Sequence, residues 1–403
     1  MTFVESLPTP NPLTSKDISL LFKILGHKNI RFVGGCVRNA LLGEEIGDID
    51  LATTLPPALV MEKLAAKNIK TIPTGLEHGT VTAVIGDIGY EITTLRRDIE
   101  TDGRHAVVAY TNDWAEDAAR RDLTINALYA DNDGKIYDPM GTGLKDLKNR
   151  KIRFIGTATE RITEDALRIL RFFRFYTYYG RGQPDAKSLA ACTLLADKIN
   201  TLSRERITKE FFLILKHARA RKTLQLMSEH NILPSIISNN IDTVRFDLLI
   251  KFQKKGQVQK DNSILAARLF LLRYAQSKNK ASTNNQLIIN KKIIEIIDNV
   301  STIKFNTIRI DTQNVMGFIY TYGPSTTRII IDIAAVLEKT SPRTHSHWIK
   351  YIEKTGTPVF PVTGKDLLKK GIKSGPQIGI ILKKLERRWI QSGFKLTKQD
   401  MLA

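Results

Sequence analysis

The chain has 403 residues, which is long enough for two or more domains, and its hydrophobic (42%) and charged (25%) fractions are those of an ordinary globular protein. The two cysteines show no paired Cys/His spacing, which argues against a disulfide framework or a zinc site. The sequence has neither a charged start followed by an apolar core nor an apolar run of membrane-spanning length. We therefore expect a cytoplasmic protein with no membrane partner.

Charge is distributed unequally along the chain, which carries a net +20. Residues 1–150 contain 17 Lys and Arg against 21 Asp and Glu, whereas residues 151–403 contain 44 against 20. A compositional bias toward Lys, Asn and Ile accounts for part of the excess positive charge but not for its concentration after residue 150. A basic extension behind an acidic first part indicates a polyanionic partner.

The first 150 residues alternate short apolar strands with turns and helices. A proline-rich lead-in over residues 1–15 precedes a predicted helix at 16–26, and Val37–Leu42 reads as the start of another helix. The strands are predicted at Arg31–Val33, Asp48–Ala52, Thr80–Ile85, Tyr90–Leu95 and Lys135–Tyr137, with helices at Pro57–Lys67 and Trp114–Tyr129. This alternation predicts an α+β head with a mixed sheet.

After residue 150, apolar residues recur at helical spacing and strand signals mostly vanish. Helices are predicted over residues 162–179, 187–199, 206–220, 263–277 and 286–300. The expected organisation is a lead-in and helix (1–29), a head (30–150), a helical neck (151–220), a helical body (221–300) and a basic tail (301–403).

A pair of acidic residues, Asp48 and Asp50, follows a double glycine within the same short run. On a strand, residues two apart project from one face, so both carboxylates could converge on Mg²⁺. Gly34 and Gly35 allow a tight backbone turn before the helix, whose N–H groups, with Arg38 beside them, could hold a triphosphate. Each feature alone could be an ordinary solvated loop or turn. Together they suit phosphoryl or nucleotidyl transfer.

This run resembles motif A of the class II tRNA nucleotidyltransferases and bacterial poly(A) polymerases, Gly-Gly-x-Val-Arg-Asp followed by Asp-x-Asp. Asn39 stands where that family usually has Asp, and it keeps the acceptor oxygen without the charge. The resemblance implies a polymerase-beta-like nucleotidyltransferase head, with two Mg²⁺ ions held by Asp48 and Asp50 and no organic cofactor. Glu91 is a candidate third carboxylate, with a surface glutamate as the alternative.

Asp117–Leu128 resembles motif B of the same family. On a helix, Asp117 and Arg121 are four residues apart, as are Asp122 and Asn126, so the members of each pair can interact. The resemblance implies that Arg121 contacts nucleotide phosphates and that Asp122 or Asn126 positions sugar or metal-site groups. The alternative is a salt-bridged surface helix.

Glu164–Arg174 resembles motif D, Glu-Asp-x-x-Arg, which in this family acts as a protein template for the incoming base. Asp165 can only accept and Arg168 can only donate, and at i,i+3 on one helical face they can match a cytosine or adenine edge. Arg171 and Arg174 continue that face and would bind triphosphate or primer. A basic amphipathic helix with one ion pair is the alternative.

Weaker resemblances complete the set. Thr74–Thr80 is similar to the family's Gly-x-x-His-Gly-Thr strand entry. Arg97–Asp113 matches the position of a flexible loop that the family needs for switching to ATP addition, with an ordinary turn at Asp102-Gly103-Arg104 as the alternative. Ser203–Glu210 resembles motif E, whose Glu205 and Arg206 would brace the template helix. In the tail, a glycine-rich turn opens a helix whose basic residues could bind RNA backbone or form a solvated face: Lys373, Lys383, Lys384, Arg387 and Arg388.

The resemblance covers residues 31–210 closely and implies template-independent addition of CCA to tRNA 3′ ends from CTP and ATP. The expected partners are the tRNA acceptor arm and T loop, bound by a monomer or a homodimer. A poly(A) polymerase, or an enzyme adding only CC or only A, is the nearest alternative. A catalytically inactive RNA-binding protein on the same scaffold is the alternative from another class.

Overall fold

The computed structural model describes residues 3–102, 105–237, 242–255, 262–277, 287–338 and 340–403. The chain divides into two compact units. The described residues up to Ile237, together with Leu287, form the first unit, and the remaining described residues from Asp242 onward form the second. None of the described helices is both long and apolar enough to cross a membrane.

The first unit is built on an eight-stranded mixed sheet. Its strands are β1 (Phe3–Ser6), β2 (Ile30–Val33), β3 (Asp50–Thr53), β4 (Lys70–Gly75), β5 (Thr80–Ile85), β6 (Ile88–Thr94), β9 (Tyr129–Ala130) and β10 (Lys135–Tyr137), while β7 (Arg96–Asp102) and β8 (His105–Tyr110) pair separately. The strand order of the sheet is β1-β10-β9-β2-β3-β6-β5-β4. Only β3 and β6 are parallel; the other neighbours are antiparallel. The predicted α+β head with a mixed sheet is confirmed.

Helices pack against this sheet and continue beyond it. They are α1 (Lys16–Leu25), α2 (Gly35–Leu42), α3 (Pro57–Ala65), α4 (Trp114–Ala119), α5 (Gly143–Lys148), α6 (Ala158–Glu164), α7 (Leu167–Tyr178), α8 (Ala186–Leu194), α9 (Arg204–Lys216) and α10 (Ala220–Glu229). In α7, arginines are interspersed among apolar residues, of which Ile169, Leu170, Phe172 and Phe173 are buried. That buried stripe fixes which side of α7 its arginines can occupy.

Three predictions about local structure were wrong. The lead-in contains β1, which pairs with β10 at the sheet edge. The helix predicted over Trp114–Tyr129 ends at Ala119, because the chain must turn to place Tyr129 in β9 between its neighbouring strands. The helix predicted over 162–179 breaks at Asp165, which has an extended backbone (φ −153°, ψ 107°) and accepts from the Leu167 N–H at 3.0 Å. A side chain that caps the backbone in this way competes with continued helix.

The second unit is helical in the residues described. It contains α11 (Thr243–Lys255), α12 (Asn262–Ser277), α13 (Lys291–Ser301), α14 (Thr312–Val336), α15 (Pro342–Lys354), α16 (Gly364–Lys369), α17 (Pro376–Gln391) and α18 (Lys398–Leu402). α14 kinks at Gly323-Pro324, where proline removes a helical hydrogen bond. The final three helices pack around Trp389, Leu367 and Met401.

Candidate active site

The glycine turn joins β2 to α2. Gly34 adopts a left-handed backbone (φ 72°) as the N-cap of α2, a conformation that favours glycine. A Cβ atom at Gly34 would lie 3.6 Å from the Asn126 carbonyl oxygen and 3.7 Å from Arg121 Nη1. The turn therefore presents the first N–H groups of α2 beside a guanidinium, which suits an anionic ligand.

Cys36 lies just inside α2 and is fully buried. Burial raises the pKa of its thiol to about 11, so the thiol stays protonated at neutral pH. Cys36 is therefore a packing residue rather than a nucleophile.

The acidic pair stands at the start of β3. Asp50 opens that strand, but Asp48 lies in the bend before it, so the strand periodicity that suggested a shared face does not apply to Asp48. Glu91 on β6 is in register with Asp50, and neighbouring residues of parallel strands project to the same side of the sheet. Partial desolvation, Glu91 and Asp48 all raise the pKa of Asp50, whereas Arg121 opposes them. The carboxylates thus crowd one another in a way that a bound cation would relieve.

The donor set fits a hard cation that keeps open coordination positions. Among the described residues, His, Cys, Asp and Glu side chains form no group of three or more that could hold a metal ion by itself. Asp48 and Asp50 would therefore supply two oxygens, and water or substrate phosphates would supply the rest, as Mg²⁺ prefers. Whether Glu91 adds a third ligand stays a prediction.

Asp117 organises the arginines of motif B. Its carboxylate is 1% exposed, and it accepts from Arg120 Nη2 at 2.7 Å, Arg121 Nη2 at 3.0 Å and the Tyr129 hydroxyl at 2.6 Å. Burial by itself would raise the pKa of Asp117, but Arg121 and Arg120 outweigh it and lower the pKa to about 2. The predicted i,i+4 pair of Asp117 and Arg121 is present, and it fixes Arg121 against the glycine turn.

Asp122 and Asn126 begin a second network. Asn126 donates to Asp122 Oδ1 at 3.2 Å, although the two residues lie around a short 3-10 turn (Thr124–Asn126) rather than on an α-helix. Arg171 Nε donates to Asp122 Oδ2 at 2.6 Å. Burial opposes ionisation of Asp122, but Arg171 and Asn126 prevail and lower its pKa to about 2. Arg171 is thus held by a buried carboxylate in the head.

Arg174 is also paired. Its Nε donates to Glu210 Oε2 at 2.5 Å, and Glu210, on α9, is only 5% exposed. Arg171 Nη1 lies 4.0 Å from Glu210 Oε1. The arginine face expected to bind triphosphate or primer is therefore partly neutralised by two acidic residues.

The base-template pair sits where α6 meets α7. Because Asp165 interrupts the helix, the argument from i,i+3 spacing on one helical face was wrong. Asp165 Oδ2 accepts from Arg206 Nη2 at 2.7 Å, which agrees with a bracing role for Arg206, whereas Glu205 is exposed. Arg168 Nη1 donates to Glu164 Oε2 at 2.6 Å and to the Arg161 carbonyl at 3.1 Å. Each member of the pair is held by its own partner, with acceptor and donor capacity left over.

Sequence reasoning missed Tyr179 and Phe175 at the end of α7. The Arg38 guanidinium lies 4.2 Å from the Tyr179 ring centroid and 5.1 Å from that of Phe175. Their i,i+4 spacing was visible, but only the tertiary structure shows that both rings lie against the same arginine. Glu164 and Glu210 were missed as partners for the same reason, although both belong to recognised motifs.

Two other predicted regions are present as elements. The 97–113 segment forms most of the β7–β8 hairpin, whose register joins Arg96 to Tyr110, while Gly103 and Arg104 lie outside the described residues. In the second unit, α17 begins directly after Gly375. Its predicted RNA-binding side chains, and the one preceding it, are exposed: Lys373, Lys383, Lys384, Arg387 and Arg388.

Comparison with known proteins identifies the family. Residues 30–153 match the poly A polymerase head domain, and residues 183–239 match the probable RNA and SrmB-binding site of polymerase A. The mitochondrial CCA tRNA nucleotidyltransferase 1 of Mus musculus is 34% identical over 96% of this chain and 88% of its own length. The chain belongs to the class II tRNA nucleotidyltransferase and bacterial poly(A) polymerase family. A CCA-adding enzyme of Lactococcus lactis is 31% identical, with 93% of each chain covered.

Solved structures of this family share the fold. The Bacillus stearothermophilus CCA-adding enzyme, in complex with CTP, superposes with a TM-score of 0.72 at 24% identity and covers 95% of this chain and 93% of its own. The Thermotoga maritima CCA-adding enzyme, complexed with tRNA, gives a TM-score of 0.68 at 19% identity over 100% and 98% of the two chains. The nucleotidyltransferase head followed by helical domains is therefore the architecture of this family.

Proposed function

We propose that this protein adds CCA to the 3′ ends of tRNA from CTP and ATP, without a nucleic-acid template and with release of pyrophosphate. The observation that carries the proposal is the position of Asp50 at the start of β3, two residues after Asp48 and in register with Glu91, together with Arg121 held against the glycine turn. This arrangement supports a cation site next to an anion-binding turn, and relatives matched over most of their length are named CCA tRNA nucleotidyltransferase and CCA-adding enzyme. The proposed location of the protein is the cytoplasm, and cell fractionation tests this against the mitochondrial location given in the name of the mouse relative.

Each residue then has a proposed role in nucleotidyl transfer. Asp48 and Asp50 would hold two Mg²⁺ ions, which favour deprotonation of the primer 3′-hydroxyl and neutralise the triphosphate. Gly34, Gly35 and Arg121 would hold the triphosphate, and Arg38 would add positive charge beside Gly35. We assign no organic cofactor.

Base selection is proposed for Asp165 and Arg168. A carboxylate that accepts and a guanidinium that donates can match the amine and ring nitrogen of cytosine or adenine. Uracil and guanine place a carbonyl where the amine would be, so they would face Asp165 with like partial charge. Arg206 and Glu164 would hold the pair in place during selection.

The tRNA itself is proposed to bind through the basic second part of the chain. The exposed cations of α17 would contact phosphates of the acceptor arm and T loop, with the strong salt dependence of phosphate recognition. Phosphate contacts of this kind read RNA shape rather than sequence.

The test is incorporation into a tRNA that lacks its CCA end, with Mg²⁺ and with CTP and ATP supplied together or singly. Products read at nucleotide resolution should stop at CCA. Asp48→Ala should lower the rate by at least about a thousandfold, while Asp87→Ala, at an exposed turn of the same sheet, should not.

Two other outcomes have defined meanings. A long A tail made from ATP alone would assign poly(A) polymerase activity, which the head-domain match also allows. No incorporation by folded protein would favour an RNA-binding role without catalysis.

A further inference from the structure

Asn39 is the one position of motif A at which this chain departs from its family, and it occupies the centre of a hydrogen-bond cluster. Its carboxamide oxygen accepts from Arg38 Nε at 3.1 Å, from Arg38 Nη2 at 2.9 Å and from the Tyr179 hydroxyl at 3.2 Å. Its Nδ2 group donates to the Glu45 carbonyl oxygen at 2.7 Å. Both ends of the amide are therefore used, and its orientation is set by its partners.

The partners of Arg38 distinguish it from the other arginines of the site. Arg38 also donates to Asn126 Oδ1 at 2.5 Å and to the Tyr179 hydroxyl at 2.9 Å, so the acceptors it contacts are neutral. By contrast Arg121, Arg168 and Arg171 each contact a carboxylate directly. Arg38 is 6% exposed, and burial lowers the pKa of its guanidinium.

The Arg38 guanidinium lies close to the glycine turn, where the triphosphate is proposed to bind. A Cβ atom at Gly35 would come within 3.8 Å of Arg38 Nη2, so the guanidinium sits directly beside the first residue of α2. A positive charge without a carboxylate partner in a buried setting projects a stronger field than a paired one. It would add to the N-terminal field of α2 at the place where phosphates are proposed to bind.

The Nδ2 group of Asn39 binds the loop that leads to Asp48. After α2 ends, Gly43 turns in a left-handed conformation (φ 64°), and the Glu44 N–H donates to the Asn39 carbonyl at 3.0 Å. The Asn39 side chain then holds Glu45, three residues before Asp48. A carboxylate at position 39 could not donate to that carbonyl and would face it with like charge.

We propose that Asn39 is a positioning residue for nucleotide binding, which orients Arg38 without neutralising it and anchors the Gly43–Gly47 loop ahead of Asp48. The inference rests on the proposed function, because it assigns the nucleotide triphosphate to the glycine turn. It gives a physical role to the departure from the family pattern. Asparagine supplies both an acceptor for Arg38 and a donor for Glu45, and it does so without adding charge.

The experiment compares Asn39→Asp and Asn39→Ala with the unmodified full chain. The dissociation constant for CTP with Mg²⁺ is measured by calorimetry, and digestion by a glutamate-specific protease reports on the exposed Glu44–Glu45 bond. Asn39→Ala loses the anchor and one acceptor of Arg38, but Arg38 stays charged and keeps its contacts with Asn126 and Tyr179, so CTP binding should weaken only about threefold. Asn39→Asp also neutralises Arg38, so binding should weaken by about tenfold or more. Both variants should be cut faster.

Asn149→Asp, at the exposed C-cap of α5, controls for the change in net charge and should bind CTP as the unmodified protein does. The proposal is overturned if Asn39→Asp binds CTP within twofold of the unmodified protein, or if Asn39→Ala is weakened as much as Asn39→Asp. Unmodified protein that binds CTP but extends no tRNA refutes the proposed function while leaving this comparison intact. Unmodified protein that binds no CTP refutes both.

Discussion

Replacing Asp117 by Asn should destabilise the first unit and impair nucleotide addition. The Asp117 carboxylate is buried, and it joins two consecutive arginines of motif B to a tyrosine of β9. Asparagine has nearly the same shape but no charge, and its NH₂ group would face donors. The variant would leave Arg120 and Arg121 with uncompensated charge in a poorly hydrated site.

Two independent estimates give the magnitude. The pKa of Asp117 falls from 3.8 to about 2 in the folded protein. At about 1.4 kcal/mol per pKa unit, this corresponds to roughly 2–3 kcal/mol of stability. Removing one partner of a buried ion pair typically costs about 3–5 kcal/mol. Because asparagine retains one acceptor oxygen and the arginines keep some contact with water, we expect a loss of about 2–3 kcal/mol.

Urea unfolding followed by tryptophan fluorescence measures this loss. The chain has three tryptophans, and only Trp114 lies in the first unit, edge-on to Tyr129 at 5.4 Å. With Trp348 and Trp389 replaced by Phe in every variant, the signal reports on the site that Asp117 supports. Asp133→Asn is the matched control, since Asp133 is 71% exposed and its pairing with Lys135 at 3.8 Å is weak.

The control should change the free energy of unfolding by less than about 0.5 kcal/mol. If Asp117→Asn unfolds within that same margin of the unmodified protein, then the buried network does not carry the stability assigned to it. If stability falls but nucleotide addition does not, Arg121 is not held in its functional position by Asp117.

Two further predictions concern pH and base choice. Asp117 and Asp122 both have pKa values lowered to about 2 in the folded protein. The stability that these carboxylates contribute is therefore complete above their unfolded pKa near 3.9 and is lost as the pH falls toward about 2. The free energy of unfolding, measured from about pH 6 to pH 2.5, should drop mainly below about pH 4.5, and it should drop less steeply in Asp122→Asn. Asp165→Asn replaces an acceptor-only group by one that can also donate, so the ratio of CTP to UTP incorporation should fall by about tenfold; an unchanged ratio would remove Asp165 from base selection.

Local sequence was sufficient to predict those elements that depend on residues close together in the chain. The glycine turn, the start of α2 and the helical character after residue 150 follow from backbone preference and apolar periodicity, and these act over a few residues. The recognised motifs added candidate roles for Asp48 and Asp50. Asp48 nevertheless lies outside the strand, because a boundary depends on which residues find pairing partners in the sheet.

Tertiary structure alone decided which side chains meet. Glu91 joins Asp50 through the register of two parallel strands, and Glu210 reaches Arg174 because α9 packs on α7. The break at Asp165 reflects a choice between helix continuation and side-chain capping that periodicity does not encode. The proposed positioning role of Asn39 likewise depends on its contacts with Tyr179, 140 residues away, and with the Glu45 carbonyl across the loop. Residue types determine which contacts are chemically possible, whereas the packed fold determines which ones form.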